Sequence, residues 1–244
     1  MAASIEWLYL AAAVLFILGI RDLSSAETAR RGNTLAAIGM LLAIIGTLQH
    51  QAIVRIDWII AGMVIGGLIG LLMAVYMPMT AMPERIAIVN GLGGAASGLV
   101  GISEVYRHVI VPQAAGSVVT FDAFHTGVAG FEIMLGSLTF SGSMIAFGKL
   151  QGILPGRPLK LPLQNFISAI LMFVTVSLAV YLIGFDLNIN IFILFILLSL
   201  ILGILLVAPI GGADMPVVIS LLNSYSGLAA AAAGFVIGNI ILIV

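Results

Sequence analysis

Asp214 and the cluster Asn223-Ser224-Tyr225-Ser226 interrupt an otherwise apolar stretch running from Ala208 to Phe235. A carboxylate or amide buried in hydrocarbon without partners is costly, so polar residues in such a place default to a functional reading. The chemistry that suits them is proton passage, which needs titratable or hydrogen-bonding groups spaced so that water bridges them across the membrane. Further candidates are Asn90 and Ser97, then Glu132 with Ser137, Thr139, Ser141 and Ser143, and finally Ser220 ahead of the Asn-Ser-Tyr-Ser cluster. Ser220, Asn223 and Ser226 follow one another at intervals of three, near one face of a helix, and that face is suited to line a polar path. The competing reading for each hydroxyl is a bond back to the i−4 carbonyl, or glue between neighbouring helices.

Glu132 is the one carboxylate well inside an apolar stretch, which makes it a candidate proton carrier; the alternative places it near the outer end of a long helix, with His125 one and a half to two turns away. Asp122 and His125 open that helix and read as outer-mouth or capping residues, while His50 and His108 read as interfacial loop residues. Three scattered histidines with no pair at i, i+4 argue against a metal site. Asp214 precedes Met215-Pro216, where proline is well placed to start a helix, and follows Gly211-Gly212, which can hinge. Its bland reading is an interaction with the amino-terminal helix dipole, worth under about 1 kcal/mol.

The elements that must position these residues follow from composition. Hydrophobic residues make up 62% of the chain and charged ones 8%, and the mean hydropathy is +1.26. That is far more apolar surface than a soluble domain of this length can bury, so an all-α, polytopic transmembrane helix bundle is expected, forming a single transmembrane domain over residues 1–244. The net charge of −1 gives no electrostatic case for nucleic acid, and the absence of Cys excludes disulfides and thiolate metal sites. About 20 apolar residues at 1.5 Å rise cross a core of roughly 30 Å. About eight such segments are expected, at 4–20, 34–50, 57–77, 84–104, 122–149, 163–184, 188–209 and 215–240. They are too long and too continuously apolar for barrel strands. The first resembles a signal-peptide core, but no basic residue precedes it, so it reads as a retained helix.

Alternate loops place Arg21, Arg30, Arg31, Arg85, Lys149, Arg157 and Lys160 on one side, against Arg55 and Arg107 on the other. The positive-inside rule makes the first side cytoplasmic, with the amino terminus outside and the Asp214 turn inside. Gly62, Gly66 and Gly70 recur every four residues, as do Gly94 and Gly98, and Ala229 to Ala233 follow Gly227, all patterns that permit close helix approach. The run GLGGAA at 91–96 also fits a G-x-G-x-x-A dinucleotide fingerprint. That motif needs a preceding strand and an aqueous crevice, whereas this one lies inside an apolar helix, so packing explains it better.

The run GGADMPVVISLLNSYSG, with LSSAETARRGN at 23–33, MVIGGLIG at 63–70, MTAMPERIAIVNG at 79–91 and LTFSGSMIAFGKLQG at 138–152, closely resembles the membrane part of the beta subunit of proton-translocating nicotinamide nucleotide transhydrogenase. The resemblance implies a proton route coupled to hydride transfer from NADH to NADP⁺, with protons flowing inward across the inner (plasma) membrane. No cofactor is expected on this chain itself; NAD(H) and NADP(H) belong to the complete enzyme. Implied partners are the alpha subunit with its membrane helices and NAD(H)-binding domain, the NADP(H)-binding domain of the beta subunit, membrane lipid, and a second copy of the whole assembly. One further helix and that NADP(H)-binding domain are expected beyond Val244, where the chain stops in an apolar run.

By the same resemblance, Asp214 senses or contacts the NADP(H)-binding domain, and Asn223 belongs to the proton path. The position of Asn90 carries a histidine in many members of the family. Asn cannot titrate, so either water at Asn90 relays the proton or a partner-subunit helix supplies the titrating group; the second is favoured because members distribute this domain over alpha and beta parts. A secondary transporter or small-solute channel is the alternative, disfavoured by the lack of a convincing inverted repeat. A scaffold subunit without a transport role is a third.

Overall fold

The computed structural model describes residues 2–49, 56–117, 122–159, 162–184 and 188–244. His50, Arg55 and Lys160, which entered the sequence reading, lie outside these. Among the described residues all regular structure is helical, as expected of a membrane bundle. The helices are α1 (Ala2–Leu23), α2 (Ala29–Leu48), α3 (Ile56–Tyr76), α4 (Met82–Val105), α5 (Val111–Ala114), α6 (Ala123–Leu150), α7 (Gln164–Gly184), α8 (Ile189–Val207), α9 (Met215–Ile237) and α10 (Ile240–Ile243). Among the described residues seven helical segments are long and apolar enough to cross a bilayer, namely α2, α3, the α4 segment extended from Met79 to Ala114, α6, α7, α8 and the α9 segment from Gly212. Each of the eight expected segments coincides with one long helix, the first of them with α1.

The chain divides into two compact units, residues 1–77 and 78–243. In the first, α1 and α2 form a hairpin that small residues bring close: a Cβ on Gly32 would stand 2.7 Å from the Gly19 carbonyl oxygen. The Tyr9 hydroxyl lies 3.1 Å from Thr47 Oγ1, and the buried Asp22 faces Arg21 and Arg31. Gly62, Gly66 and Gly70 do not behave as expected. Among the described residues a Cβ at each would meet nothing within 4 Å, and α3 buries no residue.

In the second unit α6 is the axis, packed against α4, α9, α8 and α7. Its sequence explains its place. Ala, Gly, Ser and Thr dominate its buried face, and small residues with hydroxyls belong between helices in a membrane, while the Ile- and Leu-rich α7 and α8 can meet lipid. Glycine sets the closest approaches: a Cβ on Gly136 would lie 2.6 Å from Gly98 N and 2.7 Å from the Gly94 oxygen. Gly91 and Gly94 likewise face Ser143 and Thr139 across the same seam, which is why GLGGAA is helix packing. The Ser141 hydroxyl donates to the Leu200 carbonyl at 2.7 Å and joins α6 to α8 beside Gly203.

Two boundaries and the placement of one cation differ from expectation. The fourth segment does not end near 104 but continues through a π-turn at Tyr106–Ile110 into α5. Pro112 lacks the N–H that an α-helix would use there, and the wider turn closes with Val111 N–H on the Tyr106 carbonyl. His108 is therefore helical rather than a loop residue, with Nε2 3.3 Å from Glu104 Oε2. The last long helix stops at Ile237 because Gly238 takes φ 68°, the left-handed conformation that caps helices. Lys149, counted above among the loop cations, lies inside α6 and is buried.

Candidate functional site

Asn90 lies in the middle of α4 and is 8% exposed. Its Nδ2 donates to Ser143 Oγ of α6 at 3.1 Å, and its Oδ1 accepts from Ser226 Oγ of α9 at 2.7 Å. One amide thus joins the three helices of the bundle centre. A side chain with both a donor and an acceptor end is what such a junction requires. Ser226 also stands 3.2 Å from the Leu222 carbonyl, the local alternative for a helical hydroxyl.

The network opens onto two adjoining clefts between α4 and α9. One, of about 410 Å³, is lined by Arg85, Ile86, Val89, Asn90, Gly93, Asn223 and Ser226. The other, of about 280 Å³, is lined by Met82, Pro83, Ile86, Pro216, Ile219, Ser220 and Asn223. Ser220, Asn223 and Ser226 share one side of α9, as their spacing predicts, and Asn223 borders both clefts. The structure thus brings together Asn90, Ser220, Asn223 and Ser226, and adds Ser143 as the junction on α6. By contrast Thr175, Ser199 and Ser224 donate to their own i−4 carbonyls, the bland alternative.

Glu132 stands apart from this cluster. It is fully buried on α6, with its carboxylate against Gly101 of α4, and among the described residues neither carboxylate oxygen meets a hydrogen-bond partner in good geometry. Thr139 Oγ1, two turns along the same seam, is also unpartnered. A helical seam through Glu132, Gly136, Thr139 and Ser143 therefore faces Gly101, Gly98, Gly94 and Gly91 in turn. His125 does not face Glu132: its Nδ1 is 2.8 Å from Asp122 Oδ1, and its N–H donates to the same oxygen. Asp122 is the N-cap of α6, and the bond from the His125 backbone, aided by its ring, lowers the carboxyl from its ordinary range.

Asp214 ends a single 3-10 turn, Gly212–Asp214, and Pro216 falls in the first turn of α9, as the sequence predicts. Its side chain is exposed and makes no capping hydrogen bond, so it is not held by the helix it precedes. The turn is held by its backbone. Gly212 N–H donates to the Gly156 carbonyl at 2.8 Å, and Leu159 N–H to that of Ala208 at 3.0 Å. Gln151 Nε2 bonds Glu84 Oε2, tying α6 to α4 at the same end. Lys149, which sequence reasoning counted only as a charge, reaches the Ala208 and Ile210 carbonyls from α6. Its signal was a lone Lys closing a helix whose buried face is rich in Gly, Ser and Ala. Among the described residues no group of three His, Cys, Asp or Glu is placed to hold a metal.

A bundle of long apolar helices, crossed at its centre by a hydrogen-bonded amide and hydroxyls, defines a polytopic membrane protein with an intramembrane polar site. The family model for the NAD(P) transhydrogenase beta subunit matches residues 5–244, and the chain belongs to that family. Similar curated proteins include the NAD(P) transhydrogenase subunit beta of Rhodospirillum rubrum and that of a named strain of the same species. Each is 43% identical over 239 residues, covering 97% of this chain and 50% of the relative. The chain spans about half the length of the curated relatives it matches.

Proposed function

We propose that this chain forms the proton route of a transhydrogenase, coupling inward proton flow to hydride transfer from NADH to NADP⁺ on domains outside it. The observation that carries the reading is the Asn90–Ser143–Ser226 junction opening onto a cleft bordered by Asn223. Amide and hydroxyl groups do not titrate near neutral pH, but each both donates and accepts, so water in the cleft completes a relay through them. Ser220 extends the relay toward the Asp214 turn, and Glu132 is the carboxylate on the opposite reach of α6. In this scheme Asp214 faces the NADP(H)-binding domain, and its exposure with no bond to its own helix supports that role.

The clefts also bear on partners. Ser220 and Asn223 are exposed on the flank of the unit, at a depth where lipid offers no hydrogen bonds. A membrane helix of an alpha subunit seated there would cover them and supply the titrating group that Asn90 lacks. The NAD(H)-binding domain, the NADP(H)-binding domain and a second copy of the assembly complete the proposed enzyme, in the inner membrane, with the amino terminus outside and the Asp214 turn on the cytoplasmic side. No nucleotide is assigned to this chain.

The test is proton pumping and hydride transfer in vesicles by the complete complex carrying Asp214→Asn or Asn223→Ala. Loss of pumping, with bound nucleotides still exchanging hydride, is the expected result. Unchanged pumping in both variants would reduce this segment to packing.

A further inference from the structure

Among the described residues of the second unit Lys149 is the buried cation, only 4% exposed at the carboxyl end of α6. A buried ammonium normally faces a carboxylate, because taking the charge out of water is costly. Lys149 instead gives its hydrogen bonds to two backbone carbonyls, Ala208 at 2.5 Å and Ile210 at 2.7 Å. Ala208 is the C-cap of α8, where free carbonyls and the helix dipole both attract a cation. Ile210 lies past the helix, on the way to Asp214, so dipole stabilisation alone does not explain the second bond.

The two bonds fall on the segment that the 151–159 loop clamps from its other side, through Leu159 N–H on Ala208 and Gly212 N–H on Gly156. Asp214 N–H then closes on the Gly211 carbonyl at 3.1 Å, and α9 begins. The route from α6 to the Asp214 backbone thus runs over the two Lys149 bonds and the short chain from Ala208 to Asp214. Lys149 is six residues beyond Ser143 on the same helix, about 9 Å along its axis. A shift of α6 at the Asn90–Ser143 contact would reach the Asp214 turn through the Lys149 side chain and its two carbonyl partners.

We infer that Lys149 is a positioning residue, latching the 208–214 turn to α6 so that the state of the Asn90–Ser143–Ser226 junction sets the position of Asp214. The inference rests on the proposed proton-coupling role of Asp214 and deepens it. Arg can bond two carbonyls and keeps the charge, whereas Met keeps the packing volume and loses both bonds.

The experiment uses the complete alpha–beta complex in vesicles with Lys149→Met, Lys149→Arg and, in parallel, Asp214→Asn. Two quantities are read: hydrogen–deuterium exchange of the backbone over 208–214, and proton pumping relative to hydride exchange between bound nucleotides. In Lys149→Met, exchange over 208–214 should be at least about ten-fold faster while the 123–135 stretch of α6 is unchanged. Pumping should fall at least about ten-fold with hydride exchange retained, and Lys149→Arg should restore both. Unchanged exchange over 208–214 in Lys149→Met overturns the latch. Faster exchange there with full pumping overturns the positioning role while leaving the latch, and faster exchange over 123–135 as well reduces Lys149 to a stability residue. If Asp214→Asn itself pumps normally, the coupling reading fails independently, and the exchange data still decide whether Lys149 holds the turn.

Discussion

The Asn90 amide is the residue on which the centre of the second unit turns, because it satisfies a hydroxyl on α6 with its donor and one on α9 with its acceptor. Interhelical hydrogen bonds in membranes are worth about 0.6 kcal/mol on average and up to about 1.7 kcal/mol. A double-mutant cycle on Asn90→Ala and Ser226→Ala, read by unfolding in detergent, should give a coupling energy within that range, whereas Asn90→Ala with Ser224→Ala should give none, since Ser224 bonds only its own helix. The spacing of Ser220, Asn223 and Ser226 announced their shared face, because three-residue steps nearly close a helical turn. The pairing of Asn90 with Ser143 and Ser226 was not legible, since sequence separations of 53 and 136 carry no periodicity. Lys149 was hidden for a similar reason: its partners are backbone carbonyls, which every residue possesses.

At the scale of helices, the legible part was where apolar runs begin, since a span must be long and continuous to satisfy its backbone in lipid. Endings were less legible. The continuation past Val105 depends on a π-turn accommodating Pro112, and the charged residues Glu104, Arg107 and His108 read instead as the end of a span. Glycine stripes were legible as approach sites only where a neighbour exists: Gly94 and Gly98 meet Gly136, but Gly62, Gly66 and Gly70 meet nothing. The distinction predicts opposite outcomes for one substitution. Gly136→Ala drives a Cβ against the Gly98 and Gly94 backbone and should lower stability by about 1–3 kcal/mol, seen as a fall in Tm. Gly93→Ala, on the open side of α4 with nothing within 4 Å, should be neutral or stabilising by up to about 1 kcal/mol.

For the molecule as a whole, the polar surface left on the flank of the second unit is at odds with a bilayer. Ser220 and Asn223 are exposed beside Ile86 and Met82 in a cleft that only the α4 and α9 walls define. Lipid tails cannot satisfy an exposed amide, so the groove must be wet or covered. The sequence carries no cysteine, so Ser220→Cys or Asn223→Cys places a unique thiol of this chain there. A membrane-permeant maleimide should modify either thiol readily in the chain alone. In the complex with an alpha subunit, modification should slow by at least about ten-fold if a partner helix fills the groove, while a thiol at Leu221, exposed on the opposite side of α9, should slow much less. Equal slowing at all three sites would mean that the whole flank is buried without selectivity for the cleft. No slowing at Ser220 and Asn223 would leave the groove open to water, and the relay from Asn90 would then draw its proton from solvent rather than from a partner's side chain.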